Sequence, residues 1–129
     1  MTAAGRMTGR LKKRRDFLAA AKGRKSPRRA FVLEMRRRGD DEPARFGFTV
    51  SKRTAKSAVE RNRIRRRLRE AVRLASAAHA HSGHDYVVIG RRRALSENFA
   101  DLQAALAGAL RQTSTVAGIE ADGAQKAGG

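Results

Sequence analysis

Six of the nine residues from Arg61 to Arg69 are arginine, the densest chemistry in the chain. A guanidinium is always charged, presents five donors in a flat fork, and suits bidentate contact with phosphate or stacking on a base. Turned by about 100° per residue, the run separates into two sets. Asn62, Arg65, Arg66, Arg69 and Arg73 share one arc that carries no acid, whereas Arg63 and Arg67 fall on the opposite flank with Glu60 and Glu70. The mixed flank suits a solvated helix face with charge pairs one turn apart. The acid-free arc predicts a polyanionic ligand, because like charges one turn apart repel.

No constellation for protein-borne catalysis accompanies this run. There is no Gly-rich phosphate loop, no nucleophile elbow and no convincing carboxylate pair, so no catalytic residue is expected in the protein. His79, His81 and His84 have a spacing that could hold a metal, but no supporting pattern surrounds them. They read as incidental histidines in a polar loop, and no metal site is assigned.

The rest of the composition points the same way. Thirty Lys and Arg against twelve Asp and Glu leave a formal charge of +18 on 129 residues. Nucleic acid is the natural partner of such a chain, since each neutralised phosphate releases counterions. Arg outnumbers Lys by 23 to 7, which favours structured RNA over general charge attraction. The absence of cysteine removes disulfides and thiolate metal sites and fits a cytoplasmic protein. No apolar run approaches a membrane span, and no secretory signal opens the chain.

These side chains need a scaffold, and 129 residues suggest one domain. Residues 1–9 read as a flexible arm and 113–129 as a disordered tail, leaving 10–112 as the folded RNA-binding domain. Residues 10–22 predict a helix stopped by Gly23. In residues 29–37, Phe31, Leu33 and Met35 alternate onto one face. In residues 45–51, Phe46, Phe48 and Val50 share a face, with small Gly47, Thr49 and Ser51 opposite. Two alternating runs about the acidic turn Gly39–Pro43 predict an antiparallel hairpin, with room for another short strand near 25–29. Residues 58–77 form the strongest helix signal, with Ile64, Leu68, Ala71, Val72 and Ala75 as its buried stripe. Residues 86–90 suit a buried strand. Residues 96–111 predict a last helix capped by Ser96, with Phe99, Leu102, Leu106 and Leu110 facing inward. The expected fold is α+β, a small α/β sandwich of order α-β-β(-β)-α-β-α.

One string is specific enough to suggest a family. Phe48-Thr49-Val50-Ser51-Lys52-Arg53, followed by Ala58-Val59-Glu60-Arg61-Asn62-Arg63-Ile64-Arg65-Arg66-Arg67-Leu68-Arg69-Glu70, resembles the signature of the protein subunit of bacterial ribonuclease P. Arg10–Lys13 with Asp16-Phe17, Phe31-Val32-Leu33 and Asp85–Ile89 resemble other family elements in order and spacing.

The resemblance implies a ribosomal-protein-S5-domain-2-like fold with a left-handed βαβ crossover built around the arginine helix, the hand opposite to ordinary crossovers. It implies an endoribonuclease subunit in which a large RNA, with Mg²⁺, removes the 5′ leader of precursor tRNA. The protein would bind the leader and stabilise the active RNA. Expected partners are that RNA, one to one, and precursor tRNA, with no membrane and no obligate protein partner. Carried over by position, Lys52, Arg53, Arg61, Asn62, Arg63, Arg65, Arg66, Arg69 and Arg73 would bind RNA. Phe17 would be the stacking platform for the leader, its alternative being a core anchor for the first helix. The chain has Ala21, Glu34 and Ala55 where members often carry an aromatic, an aromatic and a glycine. A ribosomal or general RNA-chaperone protein is the competing reading.

Overall fold

A computed structural model describes residues 9–116. The elements run β1 (Gly9–Arg10), α1 (Arg14–Ala21), β2 (Arg24–Pro27), β3 (Phe31–Arg37), β4 (Arg45–Thr49), α2 (Ala58–His79), β5 (His84–Gly90) and α3 (Phe99–Val116), with a 3₁₀ turn at Arg92–Leu95. Five strands form one sheet in the order β1-β4-β5-β3-β2.

The expected hairpin is not formed. β5 lies between β3 and β4, antiparallel to the first (Phe31↔Gly90 to Arg37↔His84) and parallel to the second (Arg45↔Asp85 to Thr49↔Ile89). The physical reason lies in β5 itself. Tyr86-Val87-Val88-Ile89 is apolar on both faces, so it is stable only where both are covered, at the centre of the sheet. Alternation in β3 and β4 fixes which side chains face the core, not which strand lies alongside. β4, α2 and β5 therefore make a parallel βαβ crossover.

The sheet carries helices on both faces. Phe31, Leu33, Met35, Phe46, Tyr86 and Val88 pack with Ile64 and Leu68 of α2 and Leu102, Leu106 and Leu110 of α3 in the main core. The other face carries α1 and a smaller core of Leu11, Ala20 and Val87, with Phe17 and Ile89 against it. Glu34 is buried on this second face, and Lys25 pairs with it at 2.9 Å.

Several boundaries move. α1 begins at Arg14, because Gly9 and Arg10 leave the expected arm and helix to pair with β4 as a strand. The last helix is capped by Asn98, not Ser96: Asn98 Oδ1 accepts from the N–H groups of Ala100 and Asp101. It also runs past 112. Thr113 is buried, and its hydroxyl donates to the carbonyls of Ala109 and Leu110, so the folded unit includes residues first assigned to the tail. The rest of the expected arm and tail, 1–8 and 117–129, lies outside the described residues.

Candidate nucleic-acid interface

The interface is built where β4 ends and α2 begins. Ser51 closes a turn by accepting from the N–H groups of Thr54 and Ala55. Ala55 is buried without left-handed backbone, so the bend forms without the glycine that the resemblance led one to expect there. Ser57 caps α2, its hydroxyl accepting from the Glu60 N–H at 3.1 Å. Arg61 ties bend to helix: its Nη1 donates to the carbonyls of Ala55 (2.9 Å) and Lys56 (2.8 Å). Lys52, Arg53 and Lys56 are exposed on this bend, and none has an ion-pair partner among the described residues.

The arginines of α2 have different tasks. Arg67 turns inward, donating to the carbonyls of Ala94 and Glu97 while its guanidinium lies 5.9 Å from the Phe99 ring centroid. Glu60 pairs with Arg92, and the charge of Arg63 also holds its carboxyl low; Glu70 pairs with Arg73, and among the described residues neither acid pairs with Arg67, which the sequence places on their flank. Glu70 thus reaches the arc that looked free of acid and neutralises Arg73 there. Asn62 accepts from Arg65 Nη1 at 2.9 Å, which orients that guanidinium. Arg63 is exposed beside Glu60, whereas Arg66 and Arg69 are exposed without a carboxylate partner among the described residues, and Arg69 lies over the Phe48 ring, 5.5 Å from its centroid.

Arg65, Arg69 and Arg73 form one wall of a groove of about 980 Å³. The other wall is the start of the chain, Gly9 to Lys12, with Phe17 of α1; Gly47 and Phe48 of β4 form the floor. The groove exists because β1 stops early. Leu11 donates its N–H to the Phe46 carbonyl, and past that bond the edge of β4 is uncovered. Phe17 rests on Gly47: a β-carbon there would sit 2.5 Å from the Phe17 ring. The half-buried ring therefore packs against the sheet and borders the groove. Five cations line the groove and no carboxylate does. Such a surface can hold phosphates along one wall and stack bases on rings along the other.

Three groove residues escaped the sequence reading. Phe48 alternates with Phe46 and reads as core, yet it is half-buried at the open strand edge. Arg10 and Lys12 were placed on a helix but form a wall leading into α1. Elsewhere, the His84 ring lies against His81 and Tyr86, and no three His, Cys, Asp or Glu converge as metal ligands among the described residues. Nor, among them, is any helix long and apolar enough to cross a membrane.

The ribonuclease P family pattern matches residues 6–114. The chain belongs to the bacterial ribonuclease P protein family. A ribonuclease P protein component from Gluconacetobacter diazotrophicus is 49% identical over 111 residues, covering 85% of this chain and 91% of the relative. One from Paramagnetospirillum magneticum is 50% identical over 115 residues, covering 81% and 86%. The ribonuclease P protein of Thermotoga maritima superposes with a TM-score of 0.68 at 30% identity, covering 80% of this chain and 96% of that one. The Staphylococcus aureus protein gives 0.65 at 30%, covering 80% and 93%. The chain is thus a subunit of an endoribonuclease ribonucleoprotein of tRNA processing, associated with the RNA that carries catalysis. This decides against a ribosomal or chaperone protein.

Proposed function

We propose that the groove holds the single-stranded 5′ leader of precursor tRNA, while the bend and outer face of α2 hold the catalytic RNA in its active fold. The observation that carries this reading is the pairing of the two aromatic surfaces, Phe17 and Phe48, with Arg65 and Arg69, which have no carboxylate partner among the described residues, in one groove. A leader laid there stacks bases on the rings, and its phosphates face Arg65, Arg69 and Arg10. Stacking tolerates any base, which suits a leader of variable sequence. Arg65 and Arg69, first expected on the catalytic RNA, are assigned to the leader. Lys52, Arg53, Asn62, Arg63 and Arg66 face outward and are assigned to the catalytic RNA, in a one-to-one cytoplasmic complex. Arg61 and Arg73 support this surface through the bend and Glu70. The protein supplies position and charge, and the Mg²⁺-dependent hydrolysis belongs to the RNA.

The test is reconstitution. RNA-free protein incubated with precursor tRNA and Mg²⁺ is expected to leave it intact, and adding the catalytic RNA is expected to restore 5′ cleavage. The holoenzyme is expected to bind precursor tRNA more tightly than mature tRNA. Cleavage by rigorously RNA-free protein, or equal affinity for the two tRNAs, overturns the reading.

A further inference from the structure

The groove lies at one edge of the sheet, and a second cationic surface lies at the other. β2 is the far edge strand. Lys22, Arg24 and Arg37 flank a hollow at one end of it, and Arg28, Arg29 and Arg91 flank another at its far end. The two edge strands are four strand spacings apart, roughly 19 Å at about 4.8 Å each. That exceeds the ~8 Å screening length at physiological salt, so the two surfaces act separately on a polyanion.

The most developed point on this edge is where β2 meets α3. The space above Gly108, where a side chain would begin, is 3.6 Å from Arg28 Nη2 and 3.7 Å from Arg111 Nη2. Arg28 Nη2 also donates to Gln112 Oε1 at 3.1 Å, and Ser26 donates to the same oxygen, which fixes the Arg28 fork. Arg91 Nη1 donates to the Arg28 carbonyl. Arg111 has no partner among the described residues, and no carboxylate lies between the two guanidinium groups. The acids of this hollow, Glu97 and Asp101, sit further toward the start of α3: Asp101 is seven residues, about 10 Å, from Gly108. Glu97 is already held by Arg93 at 2.9 Å.

We infer that this edge is a second RNA-binding surface, with Arg28 and Arg111 clasping one backbone phosphate above Gly108 and Arg24, Arg29 and Lys22 extending the track. The protein would then bridge two segments of RNA, one at each edge of its sheet. Two converging guanidinium groups match a phosphate, which accepts from both. A lipid surface fits less well. Interfacial binding draws on inserted apolar side chains, and the large ones exposed among the described residues, Leu18, Val59 and Leu74, lie on α1 and α2. The competing structural role is protection of an edge strand, for which basic residues and proline also serve. This inference rests on the protein being bound to the catalytic RNA.

The test uses the full chain with the catalytic RNA. Binding constants are measured between 50 and 200 mM salt for Arg28→Gln/Arg111→Gln, for Gly108→Asp and for Arg93→Gln. Gly108→Asp places a carboxylate between the two guanidinium groups, where nothing obstructs it, and replaces the helix glycine with a better helix former. It should therefore fold even if the double variant does not. Each lost phosphate contact is expected to shrink the affinity ratio between the two salts by about threefold. That loss is expected for the double variant and for Gly108→Asp, and not for Arg93→Gln, which changes the net charge by one unit, as Gly108→Asp does, but at an arginine paired to Glu97. Because the chain has no cysteine, Arg29→Cys gives a unique site for a photoreactive label. It is expected to cross-link nucleotides different from those reached from Arg66→Cys.

A salt dependence equal to that of Arg93→Gln overturns the inference. So does aggregation with unchanged salt dependence, or binding to phosphatidylserine vesicles without RNA cross-links. If Arg63→Gln and Arg66→Gln also leave RNA binding unaltered, the RNA-bound reading itself falls, which separates the two failures.

Discussion

Arginine serves two opposite purposes in two neighbouring regions. At the start of β4 and β5, Arg36, Arg38 and Arg45 surround the fully buried Asp85. Arg38 Nη1 lies 2.6 Å from one carboxylate oxygen, Arg45 donates twice at 2.9 Å, and Arg36 approaches to 3.5 Å. Arg36 and Arg45 also reach Asp16, so this hub anchors α1 one residue before Phe17. Along the groove and outer face of α2, Arg65, Arg66 and Arg69 present the same group with no carboxylate partner among the described residues. In the first region the counterion is part of the chain and the arginines hold the fold. In the second it must come from outside. Local charge density does not separate the two; where the nearest carboxylate or carbonyl lies does.

This contrast can be broken at several points. The largest effect is expected for Asp85→Asn, which leaves three arginines around a neutral group. Breaking a buried pair by removing one partner costs roughly 3–5 kcal/mol. Urea denaturation should show a loss of that order, with the salt dependence of RNA binding unchanged in the folded fraction. Arg67→Ala comes next. Its two carbonyl partners lose their donor, and about 1–3 kcal/mol of stability is expected to go with them. Arg66→Ala should behave in the opposite way: stability within about 0.5 kcal/mol of the parent, and a salt slope reduced by about 1. Equal slope losses at both positions would mean that only total charge matters.

Phe17→Ala tests the groove. Affinity for precursor tRNA should fall, with little change for mature tRNA. The difference is expected at the lower end of the ~1–3 kcal/mol stacking range, since Ala21 supplies no second ring. A large drop in melting temperature with equal losses for both tRNAs would assign Phe17 to packing alone. The smallest effect concerns pH. Burial, and then the neighbouring His84 and His79, hold the His81 imidazole below its usual 6.5. The unfolded chain therefore takes up a proton more readily, and this contribution to stability declines as pH falls below about 6.5. Asp40, Glu60 and Glu70, held low by Arg38, Arg92 and Arg73, remain charged in that window. Melting temperatures at pH 7.5 and 5.5 should therefore converge in His81→Gln.

The parts of the fold legible in sequence were those set by periodicity. The Phe31–Leu33–Met35 face and the Ile64–Leu68–Ala75 stripe are buried as expected. Strand order was not legible from alternation, because a period of two assigns faces and is silent on neighbours. The site divided in the same way. A helical wheel ranks directions around an axis, and so it placed Arg66 and Arg69 outward. It could not show that Arg67 finds carbonyls near position 95, that Arg61 bends back onto Ala55, or that Glu70 serves Arg73. Phe48 was missed because its exposure depends on where β1 ends, and two residues of strand leave almost no pattern.

The central position of β5 has a consequence for how the chain is made. During synthesis β3 and β4 emerge first, and the strand that joins them comes only after the whole of α2. Until then each has an open edge, and closing the sheet requires long-range pairing, which slows folding. A nascent chain in that state is exposed to edge-to-edge aggregation.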